Sequence, residues 1–513
     1  MSVTSVSRLL VMLLFSAAGL TAQSSDLSSR IDAWRQQNEL RLLAQFADFL
    51  SMPNVASNLE DVRRNADWII TEFRKRDLPA QLLTLPEVPP VVYAEWRAKN
   101  ATRTVVLYAH YDGQPVVAEN WASDPWKPVL RSGPPGRDAQ EIDPASLRER
   151  PDPEWRLYAR SAGDDKMAII GMFAAIDAMR AAGIEPSVNI KFFFEGEEER
   201  GSPNLAKILN KYRTLLQADA WLLCDGPVHQ SRKMLLYFGA RGITGMEMTV
   251  YGPARPLHSG HYGNWAPNPI SELIDLMSRM RNSDGDILIP NFFDEVVPIS
   301  AAERAALKSA PDQEQSLMHE LALGRKEGKG KRLEELIMLP AVNFKGIRSG
   351  SVGAKARNAI QTSATASIGF RLVPNQTPAS VREHVETFLR DAGYHIIYDQ
   401  PDAATRRAHT RLVRLKWGNG YPPARTGLDH PLATSLINVI RTARGEVVTI
   451  PTTGGSIPMY LFQDIMKAPV VVVPIANHDN NQHAENENIR LQNLWDGIKV
   501  YAGIMVDLGK YWR

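Results

Sequence analysis

The first part of the chain alternates between helical and strand-like patterns of apolar residues. Between residues 31 and 76, apolar positions recur at spacings of three and four, which is typical of amphipathic helices. Further along, short runs rich in β-branched and aromatic residues predict buried strands, and longer periodic stretches between them predict helices. The predicted strands are 91–96, 104–109, 187–194 and 220–224, and the predicted helices are 167–182 and 205–216. This alternation predicts an α/β fold, with a mostly parallel sheet and helices on both faces.

The pattern changes near Gly239 and returns near Pro422. In between, alternating strands and amphipathic helices predict an α+β domain with an antiparallel sheet. The elements predicted there are strands 245–251, 363–372 and 395–398 and helices 269–280 and 381–392. Residues 301–338 are highly charged and predict a helical excursion, whose basic, glycine-rich stretch 324–331 is interpreted as a solvated loop.

The first pattern resumes with a predicted helix at 431–444, a strand at 470–474 and a helix at 489–508. We therefore predict one α/β domain, made of residues 23–242 and 421–513, that is interrupted by an inserted domain, residues 243–420. Residues 133–153 are rich in Pro, Gly, Asp and Arg and show no periodicity, so they predict a surface insertion.

The first 22 residues have the layout of a signal peptide. Arg8 precedes the apolar stretch 9–20, and Ala22 ends a region of small residues before a polar segment. The apolar core is too short for a comfortable membrane span. We expect export to the periplasm or the medium with cleavage after Ala22, and an uncleaved anchor is the alternative. Because no later stretch reaches 18 consecutive apolar residues, no stable span is expected after cleavage.

Composition excludes some classes of function and structure but does not identify a function. The 513 residues are 44% hydrophobic and 23% charged, which is ordinary for a globular protein of about two domains. The chain has 59 Lys and Arg residues and 57 Asp and Glu residues. A net charge this close to zero offers no electrostatic basis for binding nucleic acid. The single cysteine, Cys224, excludes an internal disulfide.

Histidine and acidic residues stand where the predicted strands end. His110 and Asp112 follow strand 104–109, Glu198 and Glu199 follow strand 187–194, and Asp225 follows strand 220–224. Each has a simple structural explanation, such as a core histidine or a solvated acidic turn. Their recurrence matters more, because ligands gather at the carboxyl ends of parallel strands and charged groups are costly there without partners. The set predicts a metal site, with Asp112 orienting the His110 ring.

Two more clusters extend this set. Asp164 and Asp165 precede helix 167–182, where the helix dipole alone explains acids; the functional interpretation is that Asp164 uses its two oxygens on two cations. His483 follows strand 470–474, with His478 as its rival in the same loop. Cys224 lies inside an apolar run and is interpreted as a small buried residue.

In this order, the residues resemble a dizinc peptidase family that includes carnosinase, carboxypeptidase G, succinyl-diaminopimelate desuccinylase and aminoacylase. The resemblance covers nearly all of the chain after residue 22 and is greatest to the carnosinase-like, or cytosolic-dipeptidase-like, branch. The matching motifs are His110-Tyr-Asp-Gly-Gln-Pro115, Asp164-Asp-Lys166, Glu195-Gly-Glu-Glu-Glu199-Arg-Gly-Ser202, Asp225, His258-Ser-Gly260, Arg371-Leu-Val-Pro374, Gly454-Gly-Ser-Ile-Pro458 and His483-Ala-Glu-Asn-Glu487.

The resemblance implies two divalent metal ions, zinc first and manganese or cobalt as alternatives, since His and carboxylate ligands do not discriminate sharply among them. The implied ligands are His110 and Asp225 for one ion, Glu199 and His483 for the other, and Asp164 as the bridge between them. Glu198 is the implied general base and later proton donor, and Asp112 supports His110.

The inserted domain would be a lid and dimerisation domain. In the resemblance, His258 reaches the active site of the partner subunit of a homodimer and stabilises the oxyanion. Arg371, with Gly455 and Ser456, holds the carboxylate of the substrate.

The sequence constrains the type of reaction more closely than the identity of the substrate. Members of the branch often carry a glutamate before Gly-Gly-Ser, suited to a substrate amino group, and this chain has Thr453 there. Asn419 stands where a substrate-binding histidine is common. We expect a zinc-dependent hydrolase of the amide bond in small peptides. An N-acyl-amino-acid deacylase is the alternative, and a noncatalytic metal- or peptide-binding protein is less favoured.

Overall fold

The structure is a computed structural model that describes residues 3–134, 139–147 and 150–512; the side chains of residues 3–26 and 145 lie outside the described set. The strands, in chain order, are β1 (Ala80–Leu83), β2 (Val91–Trp96), β3 (Thr104–His110), β4 (Val129–Arg131), β5 (Glu141–Ile142), β6 (Arg156–Tyr158), β7 (Asn189–Glu195), β8 (Ala220–Leu223), β9 (Met234–Tyr237), β10 (Gly239–Ala240), β11 (Gly242–Tyr251), β12 (Leu257–His258), β13 (Ala341–Arg348), β14 (Ala359–Ile360), β15 (Ser363–Leu372), β16 (His395–Ile397), β17 (Leu412–Trp417), β18 (Ala424–Arg425), β19 (Val447–Ile450), β20 (Val470–Val472) and β21 (Asn488–Arg490).

The helices, in chain order, are α1 (Val3–Leu50), α2 (Leu59–Lys75), α3 (Lys166–Ala181), α4 (Leu205–Lys211), α5 (Arg213–Leu216), α6 (Ser259–Tyr262), α7 (Pro269–Met280), α8 (Ala301–Ser309), α9 (Glu314–Glu320), α10 (Leu333–Ile337), α11 (Pro378–Asp391), α12 (Ala403–Ala408), α13 (Pro431–Arg444), α14 (Met459–Leu461) and α15 (Leu491–Tyr511). Of the helices in the described residues, none combines the length and apolar character needed to cross a membrane. The signal peptide predicted for residues 1–22 depends on side chains that lie outside the described residues.

The main sheet has the strand order β1-β2-β7-β3-β8-β20-β9-β19. Its central strands β7, β3, β8 and β20 are parallel to one another, and antiparallel pairs lie toward the edges. The predicted mostly parallel sheet is therefore confirmed. The sheet combines strands from both ends of the sequence, because β19 and β20 come after the inserted domain in the chain.

Strand β3 explains why helices cover both faces of this sheet. Its alternate residues Val105, Leu107 and Ala109 pack into one apolar core with helices α1, α2, α3, α13 and α15. Val106 and Tyr108 pack into a second core with α4, α5 and α14 on the other face. A strand buried on both sides reads as a continuous apolar run, which is the pattern that predicted it.

Two predictions about local structure need correction. The predicted helix 205–216 is two helices, α4 and α5, separated at Tyr212, whose hydroxyl accepts a hydrogen bond from the Thr84 amide at 3.1 Å. The predicted irregular insertion 133–153 contains β5, which belongs to a four-stranded antiparallel sheet in the order β21-β6-β4-β5. Strands of two or three residues are too short to show a period.

The inserted domain is built on a five-stranded sheet in the order β13-β15-β11-β17-β16. Strands β11 and β15 pair in antiparallel fashion over ten residues, and α7 and α11 cover one face with an apolar core. The predicted α+β character is confirmed, although β13 and β17 were not predicted and β16 pairs in parallel with β17. The domain boundaries at residues 22, 242 and 420 stay predictions.

The charged excursion 301–338 contains helices α8, α9 and α10, as the sequence predicted. Helix α8 begins at a capping box in which Ser300 and Glu303 satisfy each other's main-chain amides. It packs against the main sheet, where Ala310 joins Val448 and Ile450 in a small apolar cluster. The excursion therefore lies against the main domain, although it belongs to the inserted segment of the sequence.

Candidate metal centre

Four neighbouring strands bring the predicted site residues to one edge of the main sheet. Strand β3 ends at His110, β7 leads into Glu198 and Glu199, β8 precedes Asp225, and the loop after β20 carries His483. These strands are adjacent and parallel, so their carboxyl ends face the same side. The strand order thus assembles residues that are up to 373 positions apart in the sequence.

Asp164 lies between the two histidines and uses a different oxygen toward each. Its Oδ1 is 2.9 Å from His110 Nε2, and its Oδ2 is 3.1 Å from His483 Nε2. Asp225 Oδ2 lies 3.9 Å from His110 Nε2, and Glu199 Oε2 lies 3.2 Å from His483 Nε2. The five predicted ligands therefore form two histidine–carboxylate pairs that share Asp164.

The donor set fits divalent cations. Ligand atoms of His110, Asp164 and Glu199 lie within 4.8 Å of one another, as do those of His110, Asp165 and Asp225. Imidazole nitrogens and carboxylate oxygens are the ligands of catalytic zinc sites. Several buried acids face only two histidines here, and such an excess of negative charge is costly unless cations balance it.

The pKa values of these groups express that excess of charge. Burial, and secondly the charge of Asp164, raises the pKa of Glu199 to about 8 and that of Asp225 to about 7. Burial alone would also raise the pKa of Asp164, but its hydrogen bonds with His110 and His483 lower it overall. The bond with Asp164 raises the pKa of His483 to about 9. The raised pKa values of Glu199, Asp225 and His483 reflect an excess of negative charge that divalent cations would balance.

Asp112 positions both the His110 ring and the Glu198–Glu199 turn. Its oxygens Oδ1 and Oδ2 accept the main-chain amides of Glu198 and Glu199 at 3.1 and 3.0 Å. His110 Nδ1 lies 3.2 Å from the Asp112 carbonyl oxygen and 3.4 Å from Oδ1. The predicted support of His110 is therefore present in the geometry, and the carbonyl oxygen of Asp112 is its nearer acceptor.

Glu198 differs from its neighbour in having no polar partner among the described residues. Glu199 Oε2 accepts a hydrogen bond from Gln114 Nε2 at 2.8 Å, whereas no hydrogen bond or ion pair holds the Glu198 carboxylate. Burial raises the pKa of Glu198 well above its usual value. A half-buried, unpartnered acid beside a metal ligand suits proton transfer.

Glu487, at the end of the His483 motif, holds the loop that carries Asp164. Its Oε1 accepts the amides of Gly163 and Asp164 at 2.8 and 2.9 Å. Its Oε2 accepts the Ser161 amide at 3.0 Å and Arg160 Nη1 at 2.7 Å. Burial raises the pKa of Glu487 to about 7 although Arg160 opposes this. The motif match contained this residue, but only the contacts reveal its role.

Asp165 is a second residue that the sequence analysis left without a role. It is fully buried, its Oδ2 accepts the His110 amide at 3.2 Å, and burial raises its pKa well above the usual value. The peptide bond between Asp164 and Asp165 is cis. No periodicity or strand end marks Asp165, so its contact with His110 could not be predicted from sequence.

The predicted substrate-binding residues come together at the border of the inserted domain. Arg371, on β15, donates a hydrogen bond to Ser456 Oγ. Ser456 Oγ also lies 3.5 Å from the Gly242 carbonyl oxygen, and the Gly455 carbonyl accepts the Arg241 amide at 3.3 Å. Arg371 and the Gly455–Ser456 segment thus lie together, and their binding of a substrate carboxylate stays a prediction.

His258 is not part of this assembly within one chain. It is exposed on β12, and its Nδ1 accepts the Gly260 amide at 3.1 Å. It forms no hydrogen bond or ion pair with the described residues of the metal centre. The role predicted for His258 in a partner subunit stays a prediction.

Comparison with known proteins gives consistent similarities. A family model described as Peptidase family M20/M25/M40 matches residues 106–507. The chain is 25% identical over 477 residues to a Cys-Gly metallodipeptidase of Schizosaccharomyces pombe, covering 90% of this chain and 94% of the relative. It is 27% identical over 432 residues to the Beta-Ala-His dipeptidase of Homo sapiens, covering 82% and 78%.

Among solved structures, the M20 family metallo-carboxypeptidase Sso-CP2 of Sulfolobus solfataricus is similar with a TM-score of 0.71. Its sequence identity is 26%, and the match covers 91% of this chain and 99% of that one. The two proteins therefore share an overall fold over nearly their whole lengths.

Proposed function

The chain belongs to peptidase family M20/M25/M40, and we propose that it hydrolyses the amide bond of dipeptides at a centre of two divalent metal ions. Membership of this family confirms the predicted enzyme class, a metallo-hydrolase of peptide bonds. The similarity to Beta-Ala-His and Cys-Gly dipeptidases confirms the predicted resemblance to the carnosinase-like branch.

The observation that carries the proposal is the shared use of Asp164. One of its oxygens lies beside His110 and the other beside His483, and each histidine has a further carboxylate near its Nε2 atom. A carboxylate that faces two histidine–carboxylate pairs suits a bridge between two cations.

In this proposal, His110 and Asp225 would hold one ion, His483 and Glu199 would hold the other, and Asp164 would serve both. We take the ions to be zinc, which imidazole and carboxylate ligands bind well. Bound there, the ions supply positive charge that polarises a carbonyl group and acidifies a water molecule.

Glu198 handles the proton in this reaction. Asp112 fixes the turn that carries it, and the Glu198 carboxylate, which has no hydrogen-bond partner among the described residues, takes a proton from the attacking water. The same group then delivers that proton to the nitrogen of the leaving amine.

The substrate carboxylate is assigned to Arg371 and the Gly455–Ser456 segment. A planar guanidinium donates two parallel hydrogen bonds to a carboxylate, which fixes the substrate as well as attracting it. A dipeptide has a free carboxyl terminus, which is the group assigned to Arg371.

The test separates metal binding from proton transfer. Glu198→Gln should keep two metal ions per chain and lower kcat by about 10²- to 10⁴-fold, the usual contribution of a general acid–base residue. The matched control is Glu185→Gln, an exposed glutamate away from the centre, which should retain full activity. Full turnover by Glu198→Gln would refute the assignment, and absence of dipeptide hydrolysis by the metal-loaded wild type would refute the function.

We further propose a homodimer in which His258 stabilises the oxyanion in the partner's active site. Its exposure and its lack of a described partner in the centre support this role. His258→Ala should lower kcat without changing metal content, whereas His261→Ala, a neighbouring exposed histidine, should not. A fully active monomer by light scattering would contradict the proposal.

We also propose export with removal of residues 1–22, on the basis of the Arg8, apolar-core and Ala22 pattern. The mass of the protein recovered from the periplasm or the medium should correspond to a chain that begins at Gln23. A full-length chain confined to the cytoplasm would contradict it.

A further inference from the structure

The sheet of the inserted domain carries a polar groove to which no role has been assigned. Its volume is about 410 Å³, within the range of sites that hold small molecules. Successive residues of a strand point to opposite faces, so Ile368 and Leu372 pack into the core with α7 and α11, whereas Gly369 and Arg371 line the groove. The groove therefore lies on the face that the helices leave uncovered, and Arg371 belongs both to it and to the predicted carboxylate site.

The floor of the groove is a row of three glycines. Gly245 on β11 lies opposite Gly369 on β15. The amide of Gly418, directly after β17, donates to the Gly245 carbonyl oxygen at 2.9 Å. Because directly opposed residues point to the same face of a sheet, no side chain from these three positions enters the groove. A strip of main chain is thus left open beside Arg371, which follows Gly369 by two residues on the same strand.

Lys345, from β13, extends over this floor. A Cβ atom at Gly369 would lie 3.5 Å from Lys345 Cδ, and a Cβ atom at Gly245 would lie 3.6 Å from Lys345 Nζ. The ammonium group therefore lies over the row of residues next to that of Arg371, and successive rows on one face of a strand are about 7 Å apart. A guanidinium group and an ammonium group thus border the same strip of glycines.

The positive charge of the groove is not balanced by the protein itself. Among the described residues, neither Lys345 nor Arg371 has a carboxylate partner, and Arg371 donates to the Ser456 hydroxyl instead. Glu247 is the acidic residue of the described lining, and it lies opposite Lys416 on the neighbouring strand as a pair of opposite charge. A cleft whose remaining charges have one sign attracts a ligand of the opposite sign, so the groove favours an anionic group.

Arg371 and Tyr421 connect the groove to the metal centre. Both residues lie opposite Ile243, one on each side of β11, so their side chains share one face of the sheet. Burial raises the pKa of Tyr421, the charge of Arg371 opposes this rise, and the charge of Glu198 adds to it. Tyr421 therefore lies within electrostatic range of both charged groups, which places the groove beside the residue that handles the proton.

We propose that this groove binds the acidic side chain of the carboxyl-terminal residue of the substrate, with the main-chain carboxylate at Arg371 and the side-chain carboxylate at Lys345. The inference rests on the proposed dipeptidase function and adds the substrate class to it. A guanidinium fork and an ammonium group both donate charge-assisted hydrogen bonds to carboxylates. Dipeptides that end in Glu or Asp are then preferred over those that end in Gln or Asn.

The first experiment compares kcat/KM for Ala-Glu and Ala-Gln, which differ in charge but hardly in size. Ala-Glu should be preferred by about tenfold, at the lower end for a hydrogen bond between charged groups, because Lys345 is exposed. Lys345→Met removes the charge and should bring the two substrates to about equal kcat/KM, whereas Lys345→Arg should retain the preference. The matched control is Lys355→Met, because Lys355 is an exposed lysine of the same domain that does not line the groove. Equal kcat/KM values in the wild type, or an unchanged preference in Lys345→Met, would overturn the proposal.

A second measurement separates the groove from catalysis. The Kd values of Ala-Glu and Ala-Gln for metal-loaded Glu198→Gln, determined by calorimetry, should show the same preference, and a higher ionic strength should weaken it because salt screens exposed charges. If hydrolysis fails but the binding preference and its dependence on Lys345 remain, the proposed function is wrong and the groove assignment stands. If both dipeptides are hydrolysed and bind equally well, the groove assignment is wrong. Tighter binding of Ala-Phe than of Ala-Glu would also overturn the assigned occupant, in favour of an apolar side chain.

Discussion

Replacement of Glu487 by glutamine tests how the bridging residue Asp164 is positioned. The Glu487 carboxylate accepts hydrogen bonds from the main-chain amides of Ser161, Gly163 and Asp164, the segment that leads into the proposed bridging residue. We expect Glu487→Gln to weaken metal binding at both positions together, because both depend on Asp164.

The magnitude follows from the number of acceptors. Both oxygens of Glu487 accept two donors each, and glutamine has only one oxygen. In either orientation of the amide, two buried donors face an NH₂ group. A buried donor left unsatisfied costs about 1–3 kcal/mol, so the variant loses about 2–6 kcal/mol in the metal-free protein. Partners that orient metal ligands typically contribute about 10- to 100-fold to metal affinity.

The assay measures zinc affinity by calorimetry and metal content after dialysis, with thermal unfolding of the metal-free protein in parallel. Glu485→Gln is the matched control, because Glu485 is exposed and lies two residues earlier in the same loop. The control should retain wild-type affinity. Wild-type affinity at both positions in Glu487→Gln, or loss at one position only, would refute the inference that Glu487 acts through Asp164.

Three further predictions concern the substrate, the metal and the core. Arg371→Lys should lower kcat/KM for Phe-Gly by about tenfold or more, because lysine cannot bind a carboxylate through two parallel hydrogen bonds; an equal loss for Phe-Gly amide would contradict this. Zinc affinity should rise between pH 6 and pH 9, since the pKa values of about 8 for Glu199 and about 9 for His483 mean that protons must leave as metal binds; pH-independent affinity in a calorimetric titration would contradict this. Arg76→Met should lower the free energy of unfolding by about 1–3 kcal/mol in denaturant titrations, because Glu72 and Asp177 both lose a guanidinium donor while Glu72 keeps its pairing with Lys75; an unchanged free energy of unfolding would contradict this.

Local patterns predicted the elements that surround the site with good accuracy. Helix 269–280 and strand 363–372 were predicted with the bounds that the structure has, because each shows a clear period along its own sequence. The short strands β4, β5 and β6 and the edge strand β13 were missed. Their pairing depends on distant partners, so their own residues show no pattern that distinguishes them from a loop.

The candidate ligands were also predictable, because a strand that ends in a histidine or an acid is visible in the sequence. The sequence by itself determined which residue types are available, the residues on which a metal site would be built and the families that share those motifs. It did not determine the role of Glu487, whose four donors come from residues more than 320 positions away.

Only the tertiary structure decided which groups meet. The order β7-β3-β8-β20 places Glu199, His110, Asp225 and His483 at one sheet edge, and it directs the two oxygens of Asp164 toward different histidines. The same packing folds residues 313–337 against the main domain, where they enclose a cavity with Leu235, Tyr237 and Ile450. Strand formation is a local preference of the chain, whereas strand order and cavity shape arise from contacts between residues that are distant in sequence, and the sequence pattern does not record them.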